Sequence, residues 1–297
     1  MLHSIIPQSA WMFQREIEAM LGAPICERFD LIYGTSTGAI IATLLALGHR
    51  VEEIHDLYRK YVPKIMQAQG PADRSRALST LGKEVFGEKS FLDVKTGIGV
   101  VATKWVIERP MIFKNLKNQA HGRTASFKPG FGVSIADAVQ ASCSAYPFFD
   151  RKTVTTSDGD AIELIDGGYC ANNPTLYAIA DAVGPMGLPR QKLRVVNVGV
   201  GVYPEPKART LAMWAARKYL LSVQLLQKTL EINTQSMDQL REILFKDVQT
   251  VRISDTFQQP EMATDLLEHD LAKLNVLRQR GAESFASRET ALRLLLL

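Results

Sequence analysis

Gly34-Thr35-Ser36-Thr37-Gly38 sets a serine between two glycines directly after the apolar run FDLIY at 29–33. The G-x-S-x-G spacing suits a nucleophilic hydroxyl. A serine on a tight strand-to-helix turn is held in a strained backbone, and small flanking residues let neighbouring chain approach it. The apolar residues of 37–47 predict a buried helix starting at Thr37. Its first-turn N–H groups, beginning with the backbone of Thr37, would face a developing oxyanion. A phosphate-binding loop is a poorer reading, because the lysine of G-x-x-x-x-G-K-[ST] is absent.

An attacking serine needs a base, and the five histidines supply no convincing one. His3 precedes the serine, and His49 and His55 follow it too closely. His121 lies in a polar loop, and His269 sits on a charged helix face. Asp166 is the better candidate. It ends the apolar run Leu164-Ile165 and is followed by Gly167 and Gly168, the position at a strand end where open sheets bind ligands. An aspartate with an ordinary pKa of about 3.9 is a weak base, so it activates Ser36 only through direct hydrogen bonding in a desolvated site. The residues alone leave a simple Asp-Gly turn open, of which Asp158-Gly159 is an example.

The elements that must carry these residues alternate. Helical spacing is predicted over 10–21, 37–47, 52–61 (ended by Pro63) and 134–142, the last capped by Ser134 with Asp137 three residues on. Strands are predicted at 29–33, 100–107, 110–114 and 193–198, while 67–89 reads as a polar, mobile surface segment suited to a lid. This alternation indicates an α/β layered sheet. After Gly199-Val200-Gly201, Pro204 and Pro206 the pattern turns helical over 208–245 and 265–297, with one strand at 248–253. Two regions follow, 1–205 and 206–297.

Composition narrows the class further. Of 297 residues, 46% are hydrophobic and 22% charged, which excludes a disordered or fibrous chain. The net charge of +4 names no nucleic-acid polymer as partner. Cys26, Cys143 and Cys170 have neither metal-ligand nor C-x-x-C spacing, which fits a reducing compartment, and Met1 to Ala10 lacks the pattern of a signal peptide. A cytoplasmic location, peripheral at the membrane, is expected. Arg109, Lys114, Lys117, Arg123 and Lys128 form an acid-free basic stretch that suits either phospholipid headgroups or a solvated loop. Trp11, Trp105 and Trp214 are read as core or interface residues rather than a lipid-facing belt, and the terminal LRLLLL as a packed or frayed helix end too short to span a bilayer.

Three blocks together resemble the patatin-like phospholipase family: GTSTG at 34–38, ASCSAYPFF at 141–149 and DGGYCANNP at 166–174. The resemblance implies a three-layer α/β/α hydrolase with a mainly parallel central sheet and a helical C-terminal extension. It implies a Ser36–Asp166 dyad, with Gly34, Gly38, Gly167 and Gly168 as motif and turn residues and no metal or cofactor. Its substrate would be an acyl ester of a membrane phospholipid or of another lipid. The middle block departs from the family's usual ATSAAPTYF at Cys143 and Tyr146.

The glycine-rich oxyanion loop of the family, D-G-G-G-x-[RK]-G, is not seen before Ser4-Ile5-Ile6-Pro7, which resembles that loop's end. One lost oxyanion donor costs about 2.7–4 kcal/mol, so loss of the whole loop is expected to lower turnover by several orders of magnitude, leaving residues 1–297 weakly active or inactive. Bacterial relatives switched on by cyclic nucleotides in antiphage defence suggest an alternative: a ligand-regulated or impaired effector whose helices in 208–297 bind a partner or ligand. A fluorophosphonate probe is expected to label Ser36, and the Ser36→Ala variant to lose that label; unchanged labelling of the variant would remove Ser36 as the nucleophile.

Overall fold

The computed structural model describes residues 7–199, 201, 217–256, 259 and 283–297. Helix α1 (Pro7–Leu21) leads into strand β1 (Leu31–Thr35), which passes through Ser36 into helix α2 (Thr37–Leu47). Every residue of α2 except Gly38 is buried, as expected for a helix apolar on all sides. Gly48 ends it in a left-handed conformation at φ 92°.

Helix α3 (Val51–Gln67) runs straight through Pro63, where the sequence predicts a break. A helix-interior proline costs about 3 kcal/mol. Here Val51, Ile54, Tyr58, Tyr61, Val62, Ile65 and Met66 are buried along one face, and that packing outweighs the lost hydrogen bond. Helix α4 (Gly70–Phe86) replaces the polar segment expected at 67–89. Its buried stripe is sparse, with Leu78, Leu81 and Phe86 among polar and small residues, so its periodicity is weak in sequence.

Strand β2 (Gly97–Lys104) turns at 105–108 into β3 (Arg109–Lys114), so Trp105 to Ile107 lie in the turn rather than in a strand. Helix α5 (Ile135–Ser142) begins as expected: the Ser134 hydroxyl accepts the Asp137 N–H at 3.1 Å. The hairpin of β4 (Lys152–Thr155) and β5 (Ala161–Asp166) is followed by the short helix α6 (Gly168–Ala171), then α7 (Thr175–Val183) and β6 (Arg194–Val198). Helix α8 (Arg217–Leu244), β7 (Gln249–Ile253) and α9 (Glu289–Leu296) follow. The connection at 202–216, including Pro204, Pro206 and Trp214, and the expected helix over 265–282 with His269 lie outside the described residues, as do His3 to Ile6.

Parallel pairing joins β1 to β2 and β6 to β7, while β3, β4 and β5 add antiparallel ladders to the first sheet. The β6–β7 pair joins a strand before residue 205 to one after 206. Side chains of successive strand residues point to opposite faces. The Tyr33 hydroxyl bonds Asp181 on α7, whereas a Cβ on Gly34 would meet Ala42 on α2. Helices α2 and α7 therefore cover opposite faces, and the domain is a three-layer α/β/α sandwich.

Phe86 is fully buried, so Phe86→Ala is expected to cost about 3–5 kcal/mol and to lower the urea midpoint clearly. The same test on Leu92, which is 78% exposed, should move stability by less than about 0.5 kcal/mol. A Phe86→Ala midpoint equal to that of the unsubstituted chain would return 70–86 to the loose segment that its sequence suggests.

Candidate active site

The register of β2 brings the two chemical residues together. Residues 99–101 of β2 pair with both β1 and β3, and residues 102–104 with both β3 and β5. A strand has two edges, so β1 and β5 must share the edge that β3 does not occupy. They meet there end to end: Thr35 pairs with Val101, and Asp166 pairs with Ala102.

At this junction the Ser36 hydroxyl donates to Asp166 Oδ2 at 2.6 Å, and both residues are essentially inaccessible to solvent. Ser36 holds φ 56°, ψ −128°, a conformation that costs a non-glycine residue roughly 1–3 kcal/mol and is retained when its surroundings over-determine it. The surroundings are visible. The Ser36 N–H donates to Ser142 Oγ at 2.9 Å, and Ser142 Oγ–H donates to the Val101 carbonyl at 2.6 Å. A side chain on Gly34 would place Cβ 2.2 Å from the Gly38 carbonyl oxygen, which no real atom tolerates.

Asp166 is held on all sides. Its Oδ1 accepts the Gly168 N–H at 2.7 Å, its own N–H donates to the Ser144 carbonyl at 2.9 Å, and its carbonyl accepts Thr103 Oγ1–H at 2.9 Å. Gly167 is pressed against β2, since a Cβ there would lie 2.1 Å from the Val101 carbonyl oxygen. Nothing lies within 4 Å of a Cβ built on Gly38, so packing does not demand glycine at that motif position.

A chain with this junction and this order of blocks also matches at the level of whole sequences. The family profile described as patatin-like phospholipase matches residues 9–179. The chain belongs to the patatin-like phospholipases. It is 66% identical over 279 residues to the cUMP-AMP-activated phospholipase of Escherichia coli, covering 94% of this chain and 87% of that protein. It is 27% identical over 207 residues to the cGAMP-activated phospholipase of Vibrio cholerae, covering 62% of this chain and 56% of that protein. Patatin-like protein 3 of Arabidopsis thaliana is 27% identical over 196 residues, with 54% and 44% covered.

In this patatin-like phospholipase the two serines of the middle block are the residues that sequence reasoning left without a role. Ser142 and Ser144 are buried in an otherwise apolar segment, and a buried hydroxyl requires a partner. That requirement is their one signal in the sequence; the Ser142 hydroxyl finds its partners far away along the chain at Ser36 and Val101, whereas the Ser144 hydroxyl donates to the Gln140 carbonyl one turn back at 2.8 Å. Burial, and then the Asp166 charge, push the Cys143 thiol up, so the family departure at 143 places an inert thiol there. Burial and the same charge push the Tyr169 phenol up to about 12, and it remains a donor to the Tyr146 carbonyl.

The other candidates separate. His49 pairs with Glu53 and His121 with Asp181, while His55 is buried on α3. The basic stretch is divided: Lys114 turns inward to Asp181 at 2.7 Å and Lys128 pairs with Asp158 at 2.5 Å, leaving Arg109, Lys117 and Arg123 exposed at different places. Trp105 is 40% exposed, contrary to a core placement. Side chains of 7–12, including Trp11, lie outside the described residues.

Two cavities meet at Thr37 and Gly38. One, of about 110 Å³, has the polar side chains of Asn172, Asn173, Arg252 and Ser254 in its wall. The other, of about 190 Å³, is lined mainly by apolar residues, among them Ile17, Phe29, Ile41 and Leu45. Arg252 Nε pairs with Asp238 at 3.2 Å, whereas its buried Nη1 has no hydrogen-bond partner among the described residues.

Replacing Ser142 by alanine removes the acceptor of the Ser36 N–H and frees the turn at Ser36. A cost of about 1–3 kcal/mol is expected, seen as a fall in kcat with KM nearly unchanged and partial recovery in Ser142→Thr. A Ser142→Ala enzyme with unaltered kcat would show that the turn holds itself.

Proposed function

We propose that Ser36 attacks the acyl ester carbonyl of a membrane phospholipid while Asp166 Oδ2 takes its proton. The direct 2.6 Å hydrogen bond between two buried groups carries this reading. Attack forms the bond from Oγ to the carbonyl carbon, and collapse of the tetrahedral species expels the lipid alkoxide, which takes the proton from Asp166. Water then gives its proton to Asp166 and its oxygen to the acyl carbon, releasing the fatty acid and restoring Ser36. The Gly168 N–H on Oδ1 keeps the carboxylate aimed at the serine through both steps. The backbone N–H of Thr37, at the head of α2, is the proposed oxyanion donor, because first-turn N–H groups have no acceptor within their helix. The apolar cavity beside α2 suits the acyl chain.

Cyclic-nucleotide control is the second part of the proposal. The Escherichia coli relative, 66% identical, is named for activation by cUMP-AMP. A specific contact supports transmission from the region 206–297 to the site. On α8, the Asn233 side chain accepts the Asn172 N–H at 3.1 Å, and Thr234 bonds the Asn172 side chain. Asn172 directly follows α6, which itself follows Asp166-Gly167, so a shift of α8 reaches the carboxylate through a few residues. We divide the chain accordingly, with the hydrolase in 1–205 and the regulatory elements in 206–297. Three free thiols support a reducing, cytoplasmic setting with peripheral membrane contact, and among the described residues no helix is long and apolar enough to cross a membrane.

Fatty-acid release from phospholipid vesicles, followed by mass spectrometry, tests both parts. Added cUMP-AMP is expected to raise release at least about tenfold, and Ser36→Ala or Asp166→Asn to lower it roughly 10²–10⁴-fold with or without nucleotide. Full activity in either variant rejects the dyad; indifference to cUMP-AMP rejects the regulation alone.

A further inference from the structure

Strand β2 continues past Val101, the partner of Thr35, and ends in the turn 105–108. At about 3.3 Å per residue, Trp105 stands roughly 13 Å beyond the level of Thr35, the residue before Ser36. The turn is apolar and bare: Trp105 is 40% exposed, Val106 77% and Ile107 54%. Tyr146, 39% exposed, sits beside it with ring centroids 5.5 Å apart. The Arg151 guanidinium lies 5.1 Å from the Trp105 ring and 5.4 Å from the Tyr146 ring.

This is the composition of a surface that rests in an interface between water and hydrocarbon. Trp and Tyr favour the headgroup level, and fully burying a Val or Ile side chain returns about 1.5–3 kcal/mol. Charge points the same way. Lys104 and Arg109 flank the turn and Arg151 lies behind the rings, against Glu108 in the turn and Glu163, which pairs with Arg151 at 3.1 Å. The excess is positive where the apolar tip projects, which suits an anionic leaflet.

The crest is also tied to the site. Tyr146 lies two residues after Ser144, whose carbonyl holds the Asp166 N–H, and its own carbonyl accepts from Tyr169, three residues after Asp166.

We propose that Trp105, Val106, Ile107 and Tyr146 form an insertion crest that docks the enzyme on an anionic phospholipid surface, with Lys104 and Arg109 facing the phosphates. The proposal rests on the lipid-hydrolase reading and names the face through which that enzyme meets its substrate. It differs from the basic stretch 109–128 singled out in the sequence, of which only Arg109 belongs to the crest.

The test uses the full chain carrying Trp11→Phe and Trp214→Phe, so that Trp105 is the sole tryptophan. With vesicles of phosphatidylglycerol and phosphatidylethanolamine, its emission should shift to the blue and be quenched by lipids brominated near the headgroup end of the acyl chain. In the chain with all three tryptophans, Val106→Asp with Ile107→Asp should reduce vesicle co-sedimentation at least about tenfold, about 1.4 kcal/mol. The ratio of vesicle hydrolysis to hydrolysis of a dispersed short-chain ester should fall similarly, with the urea midpoint unchanged as for other exposed positions.

Co-sedimentation with an unquenched Trp105, or undiminished binding by the double variant, overturns the crest. So does shielding of Trp105 by a concentration-dependent dimer without vesicles. Hydrolysis of the dispersed ester without vesicle binding rejects the crest and keeps the hydrolase. With cUMP-AMP present, vesicle binding with a quenched Trp105 but no lipid hydrolysis keeps the crest and rejects the lipid-hydrolase reading.

Discussion

One edge of β2 is divided between two strands that run toward each other, and the site depends on that division. β1 arrives in parallel and stops at Val101; β5 arrives antiparallel and stops at Ala102. Neither strand can continue without colliding with the other, so each must leave the sheet plane at this point. β1 leaves through the strained turn at Ser36, and β5 leaves through Gly167, where any side chain would strike the Val101 carbonyl. The hydroxyl and the carboxylate project into the same small space because both chain reversals occur there.

The middle block locks the junction from a third direction. Ser142 bridges the Ser36 N–H to Val101, and the carbonyls of Ser142 and Ser144 accept the N–H groups of Gly167 and Asp166. The N–H groups of Ser36, Asp166 and Gly167, where the two strands end, are thereby given acceptors, as burial requires. These bonds compensate the unfavourable φ of Ser36 and leave the Asp166 carboxylate with one oxygen bonded to Gly168 and the other to the serine. A carboxylate so oriented needs no imidazole between itself and the hydroxyl.

The later part of the chain is built into this arrangement. β7 pairs in parallel with β6, and α8 touches the segment that follows Asp166 through Asn233 and Thr234. The elements after residue 206 therefore reach the segment that follows Asp166 through direct hydrogen bonds to Asn172. At the opposite extreme of burial, the β2–β3 turn leaves Val106 and Ile107 bare at a point tied to the same strand.

What could be read in the sequence was local. G-x-S-x-G specifies a turn by the size of its neighbours, the 37–47 helix by its apolar run, and the Ser134 cap by a three-residue spacing. Weak or interrupted patterns misled: Pro63 did not end α3, and the sparse stripe of Leu78, Leu81 and Phe86 concealed α4, because tertiary packing outweighed local preference in both. Exposure of Trp105 followed from where the β2 hairpin ended, which its run of apolar residues did not reveal. Short-range steric and periodic rules thus determined the nucleophile candidate and its turn from sequence alone. Only the tertiary structure decided that the carboxylate 130 residues away and the hydroxyl 106 residues away would meet it, since strand-edge sharing is a non-local pairing that no local pattern encodes.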